Sequence, residues 1–217
     1  MAIKFGVAVF AACLVLAAGP ALACKGKEVK FSDDFRQVDD SWGADPSSDA
    51  VTVEDGKVKV KAKVNGSYTL LYNGALFDDA DICVTVQIPN KIEDPTQLEA
   101  ALVFWAEDYN NLYALYIAPS GKAALSRLVN NKWHDVVPWR DTASVKTDPG
   151  AKNVLRVTTS GTQITAYIND VQFAAVRGQL PHGGGTVGLR AESEGTQRDA
   201  WKFIDLKVTD VAPQAAQ

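Results

Sequence analysis

The amino-acid sequence predicts an all-β fold, a sandwich of two sheets in one domain. Apolar and polar residues alternate with period two in segment after segment, most cleanly at Lys57, Val58, Lys59, Val60, Lys61, Ala62, Lys63 and Val64. About a dozen such segments recur at spacings of about 8–12 residues, with turn residues between them. No window of about a dozen residues holds the i, i+3, i+4 apolar stripe of an amphipathic helix.

The first residues are set apart from the fold. Lys4 supplies a positive charge, residues 5–19 are apolar and uncharged, and Pro20, Ala21, Leu22 and Ala23 resemble a peptidase site. Residues 1–23 therefore read as a secretory signal peptide, which implies a periplasmic or extracellular protein. A Pro closes the run short of the roughly 20 apolar residues that span a bilayer. Cleavage after Ala23 leaves Cys24 first in the mature chain. Ala21 and Ala23 fit ordinary secretion, and a membrane contact follows only if Cys24 is lipidated. Cys24 and Cys83 then remain, so one disulfide is an option in an oxidising compartment; a free Cys83 with a lipidated or loose Cys24 is the other.

The strands follow in order. Residues 51–54 lead through Asp55 and Gly56 into the lysine strand, an alternating hairpin with one wet face. Its lysines also guard a sheet edge or surface against pairing with other chains. Strands are expected at 68–72 and 81–88. Residues 98–106 are almost continuously apolar, which places that strand inside a sheet. A weak helical signal lies at 96–99. Further strands are expected at 112–118, 122–129, 132–137, 154–159, 162–168, 171–176, 186–192 and 201–208, separated by turns such as Pro119-Ser120-Gly121, Asn130-Asn131 and Ser160-Gly161. The single domain runs over 24–210, with a disordered tail at 211–217.

Charge and motif content narrow the function. The formal charge of −4 becomes −5 when Lys4 is lost, and no Lys/Arg cluster exists, so no nucleic-acid partner is expected. There is no G-x-S-x-G nucleophile elbow. Two histidines, His134 and His182, both fall in hairpin or loop segments and do not supply a zinc set. No strand carries Glu-x-Asp-x-Glu, the pattern that would align glycosidase acids on one face. Glu192 and Glu194 are the nearest approach to it. Asp33-Asp34, Asp39-Asp40 and Asp78-Asp79 leave calcium open as a cofactor, although they have no EF-hand spacing; no other cofactor is expected.

Aromatic residues among polar ones carry the binding signal. Sugar rings stack their C–H faces on Trp and Tyr, while Arg and Glu bond the hydroxyls. Parity over 98–107 puts Val103, Trp105 and Glu107 on one face and Leu102, Phe104 and Ala106 on the other. Parity also selects Tyr116, with Tyr113 as the rival if the register slips by one residue. Arg190 and Glu192 share a face, and Arg127 points opposite Ser126 and Leu128. These arginines either pair with an acid or meet a ligand. Trp42 and Trp201 are expected in the core, Trp133 and Trp139 at a rim.

Several segments together resemble the concanavalin A-like lectin/glucanase superfamily, in its laminin-G-like and DUF1080 (3-keto-disaccharide hydrolase-like) branches. They are residues 101–121, Asn153-Val-Leu-Arg-Val157, Ile164-Thr-Ala-Tyr-Ile-Asn-Asp170, Gly185-Thr-Val-Gly-Leu189 and Phe203-Ile-Asp-Leu-Lys-Val208, with Phe31-Ser-Asp-Asp-Phe35 and Trp42. The resemblance implies a jelly roll of two antiparallel sheets, one of them concave, that binds or processes glycans on that face. The expectation is a non-catalytic, exported protein that binds an oligosaccharide or polysaccharide through Trp105, Glu107, Tyr116, Arg127, Arg190 and Glu192. A glycoside-processing hydrolase with Glu107 and Glu192 as its acids is the alternative, and an envelope structural or interaction protein is the third reading.

Overall fold

A computed structural model describes residues 24–37, 40–45, 48–196 and 200–212. The expected leader at 1–23 and residues 213–217 of the expected tail lie outside the described residues. The strands are β1 (Val29–Asp33), β2 (Val51–Glu54), β3 (Lys57–Lys61), β4 (Gly66–Leu71), β5 (Ala80–Gln87), β6 (Leu98–Asp108) and β7 (Asn111–Ile117). They continue with β8 (Lys122–Val129), β9 (Lys132–Asp141), β10 (Lys152–Ser160), β11 (Gln163–Ile168), β12 (Val171–Arg177), β13 (Thr186–Ser193) and β14 (Ala200–Thr209). One 3-10 turn, Asp40–Trp42, is the helical element among the described residues. The helical signal at 96–99 instead falls on the turn into β6 and on the first residues of that strand.

Two antiparallel sheets form a jelly-roll sandwich. The larger has eight strands in the order β12-β11-β10-β5-β14-β3-β2, with β1 beside β14; the smaller has six in the order β4-β13-β6-β7-β8-β9. β1 and β3 share one flank of the long β14, pairing with residues 206–209 and 200–203 respectively. β6 is interior, as its apolar run requires. The lysine strand β3 is also interior, and the shorter β2 forms the edge. Val58 and Val60 point inward with no exposure.

The core fills the space between the sheets. Val84, Val86, Leu155, Val157, Phe203 and Leu206 meet Leu70, Leu102, Phe104, Leu115, Leu125 and Leu189 across it. Each such side chain contributes about 1.5–3 kcal/mol through burial. Trp42 and Trp201 are fully buried in the same core. A second apolar cluster covers the other side of the six-stranded sheet and includes Ala101, Val103, Ala114, Tyr116, Ala124 and Leu128.

Trp105 departs from the expected alternation. Phe104 and Trp105 both belong to the inter-sheet core, and Trp105 is 1% exposed. The cause is a bulge. Trp105 has φ 46°, and the β6–β7 register shifts between Phe104 and Asp108. Extra residues in β6, one against β13 and two against β7, turn the indole inward, where parity alone had put it outside with Val103. Its Nε1 donates to the Asp78 carbonyl at 3.1 Å, so the indole's polar atom is satisfied there. Gly185 permits the close approach, because a Cβ at that position would lie 2.4 Å from the Trp105 Cα.

On the outer face of the larger sheet, Cys24 and Cys83 are joined in a disulfide with their Cα atoms 5.6 Å apart. Beside it, Arg156 grips Asp81 with two bonds, Nε to Oδ1 at 2.7 Å and Nη2 to Oδ2 at 2.9 Å. The Lys25 amide donates to the same Asp81 carboxylate at 2.8 Å, which ties the N-terminal segment down over a buried ion pair. Replacing Trp105 by Ala is expected to lower stability by about 3–5 kcal/mol, the usual cost of emptying an indole-sized space in a core. Urea denaturation measures this. An unchanged midpoint would remove Trp105 from the core.

Candidate functional site

The outer face of the six-stranded sheet gathers the groups with binding chemistry. Strand pairing sets Arg190 opposite both Thr69 and Ala101, Ala101 opposite Tyr116, and Tyr116 opposite Ala124. Arg190 and Tyr116 therefore flank a strand that presents only a methyl group between them. In the next row, Glu192 stands opposite Glu99. Side chains paired in this way have Cβ atoms about 4.5–5.5 Å apart, so the two carboxyls share one neighbourhood.

Arg190 is held from three sides. Its Nη1 donates to Thr69 Oγ1 at 2.6 Å, and its Nε and Nη2 approach Glu192 Oε2 at 3.1 and 3.0 Å. Its guanidinium lies 5.1 Å from the centre of the Trp133 ring, within cation–π range. The Tyr116 hydroxyl donates to Glu192 Oε2 at 3.5 Å. Burial raises the Tyr116 phenol well above its usual range, so it acts as a neutral hydrogen-bonding group.

Two indoles flank the tyrosine. Trp133 meets Tyr116 edge-on and Trp139 meets it at a tilt, each with ring centres 5.8 Å apart. Trp133 and Trp139 are 38% and 37% exposed, unlike Trp42, Trp105 and Trp201, which are buried. They come from β9, the edge strand of the sheet, where register irregularities against β8 interrupt strict alternation. A depression of about 140 Å³ is lined by Glu99, Tyr116, Trp133, Asp135, Trp139 and Glu192, among others. A second, of about 200 Å³, adjoins it through Glu99, Trp139 and Glu194 and continues to Thr96 and Lys122.

Glu99 has a shifted proton affinity. Burial pushes its carboxyl up to about 8, and the neighbouring Glu192 and Glu194 push in the same direction while Arg190 opposes them. Glu99 thus carries a proton at neutral pH and can donate a hydrogen bond. Glu192, paired with Arg190, accepts them. Two neighbouring carboxyls in such different surroundings can divide acid and base roles.

The expected site residues divide accordingly. Tyr116, Arg190 and Glu192 come together on the outer face, while the rival Tyr113 faces the inter-sheet core. Trp105 is in the core and cannot stack on a ligand at this face. Glu107 is exposed near the end of β6, past the bulge and outside the lining of both depressions. Arg127 pairs with Tyr113 in the β7–β8 register and stacks on that ring at 5.2 Å, which places it on the inward side of the sheet near its edge. Its parity relative to Ser126 and Leu128 holds, but Ser126 and Leu128 are the outward residues. Among the described residues, no group of three or more His, Cys, Asp or Glu side chains is arranged to hold a metal ion.

Glu99 was not singled out from the sequence, although a signal for it exists. Extending the parity of Val103 backward through Ala101 puts Glu99 on the same face. Its pairing with Glu192 arises from β6 lying beside β13, which no local pattern encodes.

No protein-family model matches the sequence, and no curated protein matches it. Solved structures do resemble the fold. A carbohydrate-binding module, CBM66, from Bacillus subtilis superposes with a TM-score of 0.54 at 15% identity, covering 74% of this chain and 88% of the module. The carbohydrate recognition domain of Emp47p gives 0.63 at 13% identity, over 85% of this chain and 98% of the domain. A Bacillus licheniformis β-glucanase gives 0.60 at 10% identity, over 83% and 97% of the two chains. At these identities the likeness is one of fold, a two-sheet jelly-roll sandwich.

The Glu99 shift makes stability depend on pH. Between its ordinary value of 4.5 and about 8, the folded protein keeps a proton that the unfolded chain releases. Stability therefore falls as pH rises through that window. Urea melts at pH 5 and pH 8.5 are expected to show a larger loss in the wild type than in Glu99→Gln. Equal losses would mean that Glu99 titrates normally.

Proposed function

We propose that this protein binds a saccharide, an oligosaccharide or a stretch of polysaccharide, on the outer face of its six-stranded sheet, without transforming it. The observation that carries this reading is the pair of exposed indoles, Trp133 and Trp139, set around Tyr116 beside the Arg190–Glu192 pair. Half-exposed aromatic faces next to fixed donors and acceptors match the two surfaces of a sugar ring. The adjoining depressions provide a path for more than one ring. The carbohydrate-binding module and recognition domain that share the fold support the same reading. We propose further that the protein acts outside the cytoplasm, a reading supported by the leader-like sequence of residues 1–23.

Tyr116, Arg190, Glu192 and Glu99 bond hydroxyls in this reading, without Glu107 and Arg127, and Trp133 and Trp139 stack on the rings in place of Trp105. The double variant Trp133→Ala/Trp139→Ala is expected to weaken glycan binding about tenfold or more, since each aromatic contact contributes about 0.5–1.5 kcal/mol. Its melting temperature should stay near the wild-type value because both rings are on the surface. Glycan-array signal followed by calorimetry measures the first, thermal unfolding the second. Undiminished binding in the double variant would place the ligand elsewhere.

A second reading has its own support. Glu99 protonated opposite an ion-paired Glu192 is the division of roles that glycoside hydrolysis uses, with carboxyls about 5–9 Å apart. A DUF1080-like hydrolase activity would reside in this pair. Under this reading, glycans bound on the array release new reducing ends, and Glu192→Gln abolishes release while retaining binding. Intact glycan after prolonged incubation returns the site to pure recognition.

A further inference from the structure

On the other side of β8 and β9 from the aromatic face lies a second, chemically opposite cavity. It has a volume of about 480 Å³, and its polar lining is Tyr113, Arg127, His134, Arg177 and Gln179. Period two in the β8–β9 hairpin explains the contrast. Ser126 and Asp135 face one another on the saccharide side, and the next pair, Arg127 and His134, face one another on the inward side. Arg177 arrives from the last residue of β12, the edge strand of the larger sheet. The cavity is thus the mouth between the two sheets at their β9 and β12 edges.

Its charge is unbalanced. Among the described residues, neither Arg127 nor Arg177 has a carboxylate within ion-pairing distance, although the chain as a whole carries −4. Other arginines are differently placed: Arg156 is paired with Asp81 and Arg190 with Glu192. Arg127 is also pre-positioned. Its Nη1 donates to Gln179 Oε1 at 2.5 Å, and its guanidinium carbon lies over the Tyr113 ring, 5.2 Å from the ring centre. Gln179 is held in turn by its amide, which donates to the Tyr113 hydroxyl at 2.9 Å. A guanidinium has five N–H donors, and this is the one side-chain hydrogen bond Arg127 makes among the described residues. Two guanidinium groups around one open cavity repel each other, and a bound oxyanion relieves that repulsion through forked, charge-assisted bonds.

We infer that this inter-sheet mouth is an oxyanion site, taking the carboxylate or sulfate of an acidic ligand, separate from the saccharide face. The two sites draw on β7, β8 and β9 but share no lining residue, so each can fail without the other.

The test uses the whole exported chain with 13C/15N labelling. Arginine side-chain and Gly178 amide resonances are followed as sodium sulfate, glucuronic acid or methyl glucoside is added, with ionic strength fixed by sodium chloride. Saturable shifts with sulfate and glucuronate, and none with methyl glucoside, are expected. Tighter binding of glucuronate than of sulfate would identify an acidic sugar as the source; equal or tighter sulfate binding would identify a free inorganic anion. Arg127→Gln and, independently, Arg177→Gln should weaken binding at least tenfold, while Trp133→Ala/Trp139→Ala leaves it unchanged. Having two arginine variants guards against Arg127 being needed for packing on Tyr113. Shifts that fail to saturate, that sodium chloride alone reproduces, or that persist in both arginine variants would overturn the proposal.

Discussion

In the six-stranded sheet, one set of side chains must fill the space against the eight-stranded sheet, and away from the Trp105 bulge and the irregular β9, period two then assigns the remaining side chains to the opposite face. Leu102, Leu115, Leu125 and Leu189 occupy the inner set. Their sequence neighbours Ala101, Tyr116, Ala124 and Arg190 are thereby committed to the outer set, whatever their chemistry. The aromatic and charged cluster is placed by the core rather than by contacts of its own. The inward set at the sheet's edge is the exception. There Arg127 and His134 reach the open mouth between the sheets and escape full desolvation.

Within the outer cluster, Arg190 links the parts. It is 9% exposed, so an unpaired charge there would carry a large desolvation cost, and Glu192 offsets it. Burial pushes the opposite carboxyl, Glu99, toward its neutral form, and the charges of Glu192 and Glu194 add to this while Arg190 opposes it. The same guanidinium orients Trp133, and Trp133 borders Tyr116. The setting of an indole and of a phenol thus centres on one ion pair.

Much of the architecture was legible because alternation is a local signal, as in β3, where Val58 and Val60 point inward between lysines. β1 escaped notice because Val29–Asp33 is short and largely exposed, so its sequence has little pattern to show. In the site, Tyr116, Arg190 and Glu192 were reachable by counting along strands. Trp105 was not, because its bulge depends on Gly185, which lets another stretch of backbone pass against it, and a tryptophan with positive φ has no sequence signature. Arg127 shows the limit of parity in another way: counting says which residues oppose each other, not which face is out. Glu99 needed the adjacency of β6 and β13, a property of the topology rather than of either segment.

The floor beneath the aromatic cluster is built from Ala101, Ala114 and Ala124, with Gly188 alongside opposite Val103. Methyl groups at these positions hold the sheet's surface low, and the large side chains lean over it. Because these alanines face away from the inter-sheet core, exchanging one for a bulkier residue would raise the floor locally without disturbing the packing between the sheets. Relief on this face can therefore be recontoured one position at a time while the interior stays constant.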